Sequence, residues 1–154
     1  MRLVVSLLCA AALCSVAVLA GASMGGRAEY IGGTLPSITE KTDGLLITSS
    51  PYSLTFQVKR LEVRVPYERI NLLEYGQKVD RRYLAAVLLS PMFLLSKSRA
   101  HFLTIGYEDD EGKQQAMVFR VSKGDIRTVL VSLEARTGRK VQFQDDEARK
   151  AGKG

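Results

Sequence analysis

The sequence predicts a mainly β fold finished by one C-terminal α-helix, an α+β arrangement preceded by an N-terminal signal helix. Three observations lead there. Between about residues 44 and 121, apolar and polar side chains alternate with period two in short runs separated by turn residues. After 121 the period becomes helical, with Ile126, Val129, Leu130 and Leu133 forming one stripe. At the other end, Arg2 is followed by an uncharged run rich in Leu, Val and Ala that reaches Ala22.

The leader comes first in the chain. One positive charge, an apolar run and the small residues Ala20, Gly21 and Ala22 make the three-part pattern of a secretory signal peptide over 1–22. Cleavage is expected after Ala22, with Ala20 as the near alternative. The rival reading is an uncleaved signal anchor, since the run approaches the ~20 residues that a spanning helix needs. Both cysteines, Cys9 and Cys14, lie inside this leader. Each follows a leucine directly, unlike the lipoprotein pattern Leu-x-(Gly/Ala)-Cys, so lipidation is not expected. The mature chain would then hold no thiol and no disulfide, leaving stability to the core alone.

With 154 residues there is room for one domain able to bury a core. The net charge of +6 permits attraction to anionic surfaces. No dense Lys/Arg run interleaved with aromatics is present, so nucleic-acid binding is not expected.

Residues 23–32 hold Gly25, Gly26 and Gly32 and are expected to form a flexible lead-in, with a weak strand near 30–38. A short apolar strand follows at 44–48, ended by Ser49, Ser50 and Pro51. Leu54, Phe56 and Val58 form one strand face and Leu61, Val63 and Val65 the next, with Glu62 and Arg64 opposite. Pro66 stops that strand because it has no N–H to donate. For 67–79 a strand is favoured over a helical turn. Leu103, Ile105 and Tyr107 share a face, and Asp109 to Gly112 supply a hairpin turn. The chain returns with Met117, Phe119 and Val121 inward. Ser122 and Asp125 have the spacing of a capping box, and Gly138 is placed to end the helix. A last short strand is expected in 140–144, and 145–154 reads as a charged tail, frayed helical or disordered.

The segment 81–99 is unlike its surroundings. Arg81 and Arg82 precede an apolar run, 84–95, which holds Leu88 and Phe93 and is broken by Ser90 and Pro91; Lys97 and Arg99 follow. As a helix the twelve residues would span about 18 Å, short of the ~30 Å hydrocarbon thickness. Three readings remain, of which the first two are a short buried helix over the sheet and an apolar tip entering a membrane interface with basic residues meeting anionic headgroups. An apolar partner-binding surface is the third.

Six or seven antiparallel strands followed by one amphipathic helix, the segment Val-Pro-Tyr-Glu-Arg-Ile at 65–70 and the closing hairpin plus helix resemble the pleckstrin-homology-like fold, including its GRAM-type relatives. The likeness covers about 33–138, within a domain taken as 33–144 with 81–99 inserted. It implies a bent antiparallel sheet or partly open barrel capped by the helix. It also implies non-catalytic binding of lipids or protein segments. Phosphoinositide-binding members hold phosphates with Lys/Arg between their first two strands, where this chain offers only Lys41.

Other constellations are weighed against ordinary structural roles. His101 is the single histidine and opens a strand without obvious companions, so it is read as structural or exposed. A zinc site usually needs three or more His, Cys or carboxylate ligands, and no metal or cofactor is expected. The acidic turn 109–112 is too compact for a calcium loop. No Gly-x-Ser-x-Gly elbow or phosphate loop occurs. Arg127, Arg136 and Arg139 are assigned to the helix's solvent face and its C-terminal charge. The expectation is therefore a binding module of the bacterial cell envelope, not an enzyme, exported to the periplasm or exterior. Its partner would be an anionic membrane surface or an envelope protein rather than a small-molecule substrate. The binding candidates are Arg81, Arg82, Leu88, Phe93, Lys97 and Arg99. The alternatives are a structural envelope protein in which 84–95 is core, and an enzyme of unrecognised type.

Overall fold

A computed structural model describes residues 25–77 and 100–153. The expected leader at 1–22 and the segment 81–99 lie outside the described residues. The remainder forms an open, mainly β structure. Its strands are β1 Gly25–Gly33, β2 Thr42–Ile47, β3 Ser53–Val58, β4 Leu61–Pro66, β5 Ile70–Gly76, β6 His101–Glu108, β7 Gln114–Val121 and β8 Gln142–Phe143. The helices are α1 Ile126–Thr137 and α2 Asp146–Lys153. One sheet holds all eight strands in the order β4-β3-β2-β1-β7-β6-β5-β8. Every pairing is antiparallel except that of β5 with the two-residue β8.

Alternation does most of the building. Leu54 and Phe56 of β3, Val65 of β4, Leu103, Ile105 and Tyr107 of β6, and Met117, Phe119 and Val121 of β7 are all buried on one side. Against them α1 lays Ile126, Val129, Leu130 and Leu133. At the centre Phe119 meets Phe56 at 4.8 Å and Tyr30 edge-on at 5.8 Å, separations at which aromatic pairs add to the apolar burial. Proline 66 ends β4 as expected, and a 3₁₀ turn, Tyr67–Arg69, leads into β5, so the ambiguous 67–79 stretch is a turn followed by a strand. Gly138 closes α1 in the left-handed conformation at φ 68°, which costs a residue without Cβ little.

The structure departs from the sequence expectation in three places. The supposed lead-in 23–32 holds most of β1, which sits between β2 and β7 in the middle of the sheet. The expected strand at 30–38 therefore starts earlier and ends at Gly33. Its glycines are there for close approach: a Cβ on Gly26 would lie 2.5 Å from Asp125 Cβ. The second departure is at the helix start. Asp125 is the residue preceding α1, and its carboxylate makes no capping bond to the helix; it turns outward to β1 instead. Third, the charged tail is helical, as one of its two expected readings has it, but it is docked and not frayed: it forms α2, whose Ala148 is fully buried and whose Gly152 packs near Phe143, Leu130 and Tyr75. The mainly β sheet with a C-terminal helix packed on it is as expected, and the short α2 follows that helix.

Candidate functional site

The site is assembled where β1, β6 and β7 run together beside the start of α1. Pairing sets Ala28 opposite Val121 and Val121 opposite His101, which makes one row across three strands. One position along, Glu29 stands opposite Arg120 on β7 and opposite Asp43 on β2. Strand alternation thus puts Arg27 and Glu29 on the side away from Tyr30 and the core. Glu29 and Arg120 form an ion pair.

The link from β7 to α1 is stitched to β1 by three bonds. Ser122 N–H donates to Arg27 O at 3.1 Å. Arg27 N–H donates to Asp125 Oδ2 at 2.9 Å, and Ser122 O–H donates to the same oxygen at 2.6 Å. These donors, with the Ser122 hydroxyl the largest cause and the Arg27 charge adding to them, hold the Asp125 carboxyl below the usual range. The backbone already turns helically here, since Ile126 N–H donates to Ser122 O. Lys123 and Arg127 are therefore one helical turn apart and share a side.

Two hollows result. One of about 360 Å³ is lined by Arg27, Glu29, Asp43, Ala100, His101, Arg120 and Lys123 among others. The next, about 530 Å³, is lined by His101, Lys123, Gly124 and Arg127. His101 and Lys123 belong to both. Ala100, at the rim, packs against a small apolar cluster of Ile31, Phe102 and Val118 on the far side of the sheet from the main core.

His101 is held by Tyr75. The rings stack with centroids 6.0 Å apart and 14° between planes, and Tyr75 Oη lies 2.5 Å from His101 Nδ1. Tyr75 is fully buried, and burial first, then the Asp145 charge, pushes its hydroxyl pKa up, so it keeps its proton. A buried O–H is costly unless it donates. Tyr75 therefore donates to Nδ1, and a neutral His101 carries its proton on Nε2. Burial and, after it, the positive charge of Lys123 lower the His101 pKa.

Chemically the site offers cations and a neutral imidazole. Its Glu29 and Asp125 carboxylates are engaged by Arg120 and by the stitched turn. Among the described residues no group of three His, Cys, Asp or Glu is arranged to hold a metal ion. The residues picked from sequence, Arg81, Arg82, Leu88, Phe93, Lys97 and Arg99, lie outside the described residues. What the structure shows is where that stretch attaches: it follows the end of β5 at Gly76 and leads into Ala100, on the rim of the smaller hollow, just before β6. Arg27, Arg120 and Lys123 escaped sequence reasoning. Arg127 is exposed, as expected of the helix's solvent face, but it lies in the first turn of α1 and so contributes no C-terminal charge. The available signal was the four-residue spacing of Lys123 and Arg127.

No model of a known protein family matches the chain, and no curated protein sequence matches it.

Proposed function

We propose that this protein is a non-catalytic binding module of pleckstrin-homology-like type, exported to the bacterial cell envelope, and that it associates with an anionic membrane surface. The strand order supports the fold reading. A meander of β1 to β4 and a meander of β5 to β7 join through the β1–β7 pair, and the helix packed on the sheet follows the last meander strand. The observation that carries the function is the cationic end of the sheet. Arg27, Lys123 and Arg127 collect beside the point where the chain enters and leaves 78–99, which itself holds Arg81, Arg82, Lys97 and Arg99. Each Lys/Arg near an anionic leaflet contributes about 1 kcal/mol, so several acting together suffice for reversible attachment. Among the described residues no helix is long and apolar enough to cross a membrane.

Flotation with phosphatidylglycerol-containing and purely phosphatidylcholine vesicles tests this. Binding should be confined to the anionic vesicles, weaken as salt rises, and fall when Arg81, Arg82, Lys97 and Arg99 are changed together to alanine. Equal recovery with both vesicle types would overturn the membrane assignment and return the module to the partner-protein or structural alternatives.

A further inference from the structure

We propose that the hollow between His101, Lys123 and Arg127 is a phosphate-binding site. The inference rests on the binding-module reading above and gives it a ligand chemistry. Three residues with donor groups of different geometry line one concavity of about 530 Å³: Lys123 with an ammonium, Arg127 with a guanidinium and His101 with an imidazole. An ammonium supplies a compact point charge, whereas a guanidinium offers a two-pronged fork to two oxygens of one anion. A tetrahedral phosphate has oxygens enough for all three, and its charge matches the two fixed cations. Among the described residues no carboxylate lines this hollow.

The neighbouring acids do not compete strongly. Glu29 is paired with Arg120. Asp125 Oδ2 already accepts from Arg27 N–H and Ser122 O–H. Asp43, on β2, lines only the adjoining hollow, together with Arg27. The site is also distinct from the turn between β1 and β2. That turn lies at the opposite end of β1, beyond Gly33, whereas the row Ala28–Val121–His101 faces the start of α1.

Occupancy has a built-in reporter, because His101 is the only histidine in the chain. The groups around it are Tyr75 from β5, Arg120 from β7, Arg27 and Glu29 from β1, Asp43 from β2, Lys123 from the turn and Arg127 from α1. Burial and Lys123 keep the imidazole neutral. A phosphate placed between Lys123 and His101 offsets that charge and gives Nε2–H an acceptor, which favours the imidazolium. By linkage, protonation of His101 then tightens phosphate binding.

The test follows the His101 ring resonances by proton NMR on the full chain while inorganic phosphate is added. Saturable shifts and an upward move of the His101 titration midpoint are expected. Lys123→Ala and Arg127→Ala should each weaken the phosphate midpoint about tenfold, the loss of one charge-assisted contact, with Arg127→Lys recovering part of it. Lys123 and Arg127 are both exposed, and unchanged methyl spectra will show that the variants fold. Glycerol phosphate and phosphatidylglycerol vesicles then separate the two sources of the group. Shifts with the first alone assign a soluble phosphate ester, and shifts with the second assign a lipid headgroup. A linear, unsaturated drift shared by chloride and sulfate, and untouched by Lys123→Ala and Arg127→Ala, overturns the phosphate site. Vesicle flotation that persists in that event leaves the module reading intact. Phosphate saturation without flotation does the reverse.

Discussion

At the scale of single residues, His101 shows how a polar group is fixed inside a β structure. Its imidazole is not free to choose a state: Tyr75 occupies Nδ1 and Lys123 faces the ring, so the neutral form is favoured in the fold. In the unfolded chain it titrates at its ordinary value of 6.5. A folded pKa below the unfolded one means that the unfolded state binds more protons as the pH falls. The contribution of His101 is therefore fully present above pH 6.5 and is lost as the pH drops through the folded value. Urea unfolding of the wild type should lose stability on going from pH 7.5 to pH 5.5 by more than that of His101→Gln, which has no such proton to take up. Parallel pH curves for the two proteins would show that His101 is solvated rather than held. Addition of phosphate should narrow the difference by raising the folded pKa.

At the scale of elements, legibility followed the range of the interactions. The strands β3, β4, β6 and β7 were visible because a half-buried strand writes its own alternation, and α1 because Ile126, Val129, Leu130 and Leu133 repeat at the helical period. Strand β1 was hidden. Gly25, Gly26, Gly32 and Gly33 carry no side-chain pattern, and three of them lie against parts of the chain that the local sequence does not show: Gly25 against Leu46 of β2, Gly26 against Asp125 and Val129 at the start of α1, and Gly33 against Ala116 of β7. Strand pairing is also what assembles the site: residues 27, 101, 120, 123 and 127 meet only through the β1–β7–β6 register. The tail hid for a similar reason, since Ala148 and Gly152 look like ordinary small residues until Tyr75, Leu130 and Phe143 are beside them. The β1 assignment makes a sharp prediction. Gly26→Val puts methyl groups where Asp125 Cβ and Val129 Cγ2 would lie 2.5 and 3.0 Å from the new Cβ. Overpacking at that seam should cost about 1–3 kcal/mol, read as a lower urea midpoint at unchanged slope. A flexible lead-in would tolerate the change within about 0.5 kcal/mol, as surface positions do.

For the whole molecule, the export proposal and the fold constrain one another through β1. This strand lies between β2 and β7, so it joins the two halves of the sheet, and a chain without it would expose both new edges. Any processing must therefore spare Gly25. The small residues Ala20, Gly21 and Ala22 sit just ahead of it, and a cut after Ala22 leaves Ser23 and Met24 before the strand begins. Cleavage at that point removes the apolar run, both cysteines and Arg2 while leaving every strand whole. Expressed in a bacterium with its leader, the protein should be found on the periplasmic side, released from the membrane by salt, with a mass that begins at Ser23. Full-length protein in the membrane fraction, resistant to salt extraction, would point instead to the uncleaved anchor. In that case the cationic end of the sheet would be tethered through β1 itself, whose first residues pack beside Asp125 at the start of α1. The same phosphate site would then stand close to the bilayer without needing affinity for it. Comparing salt extraction of the wild type with that of Lys123→Ala plus Arg127→Ala separates the two arrangements: only a cleaved protein depends on these residues to stay with the membrane.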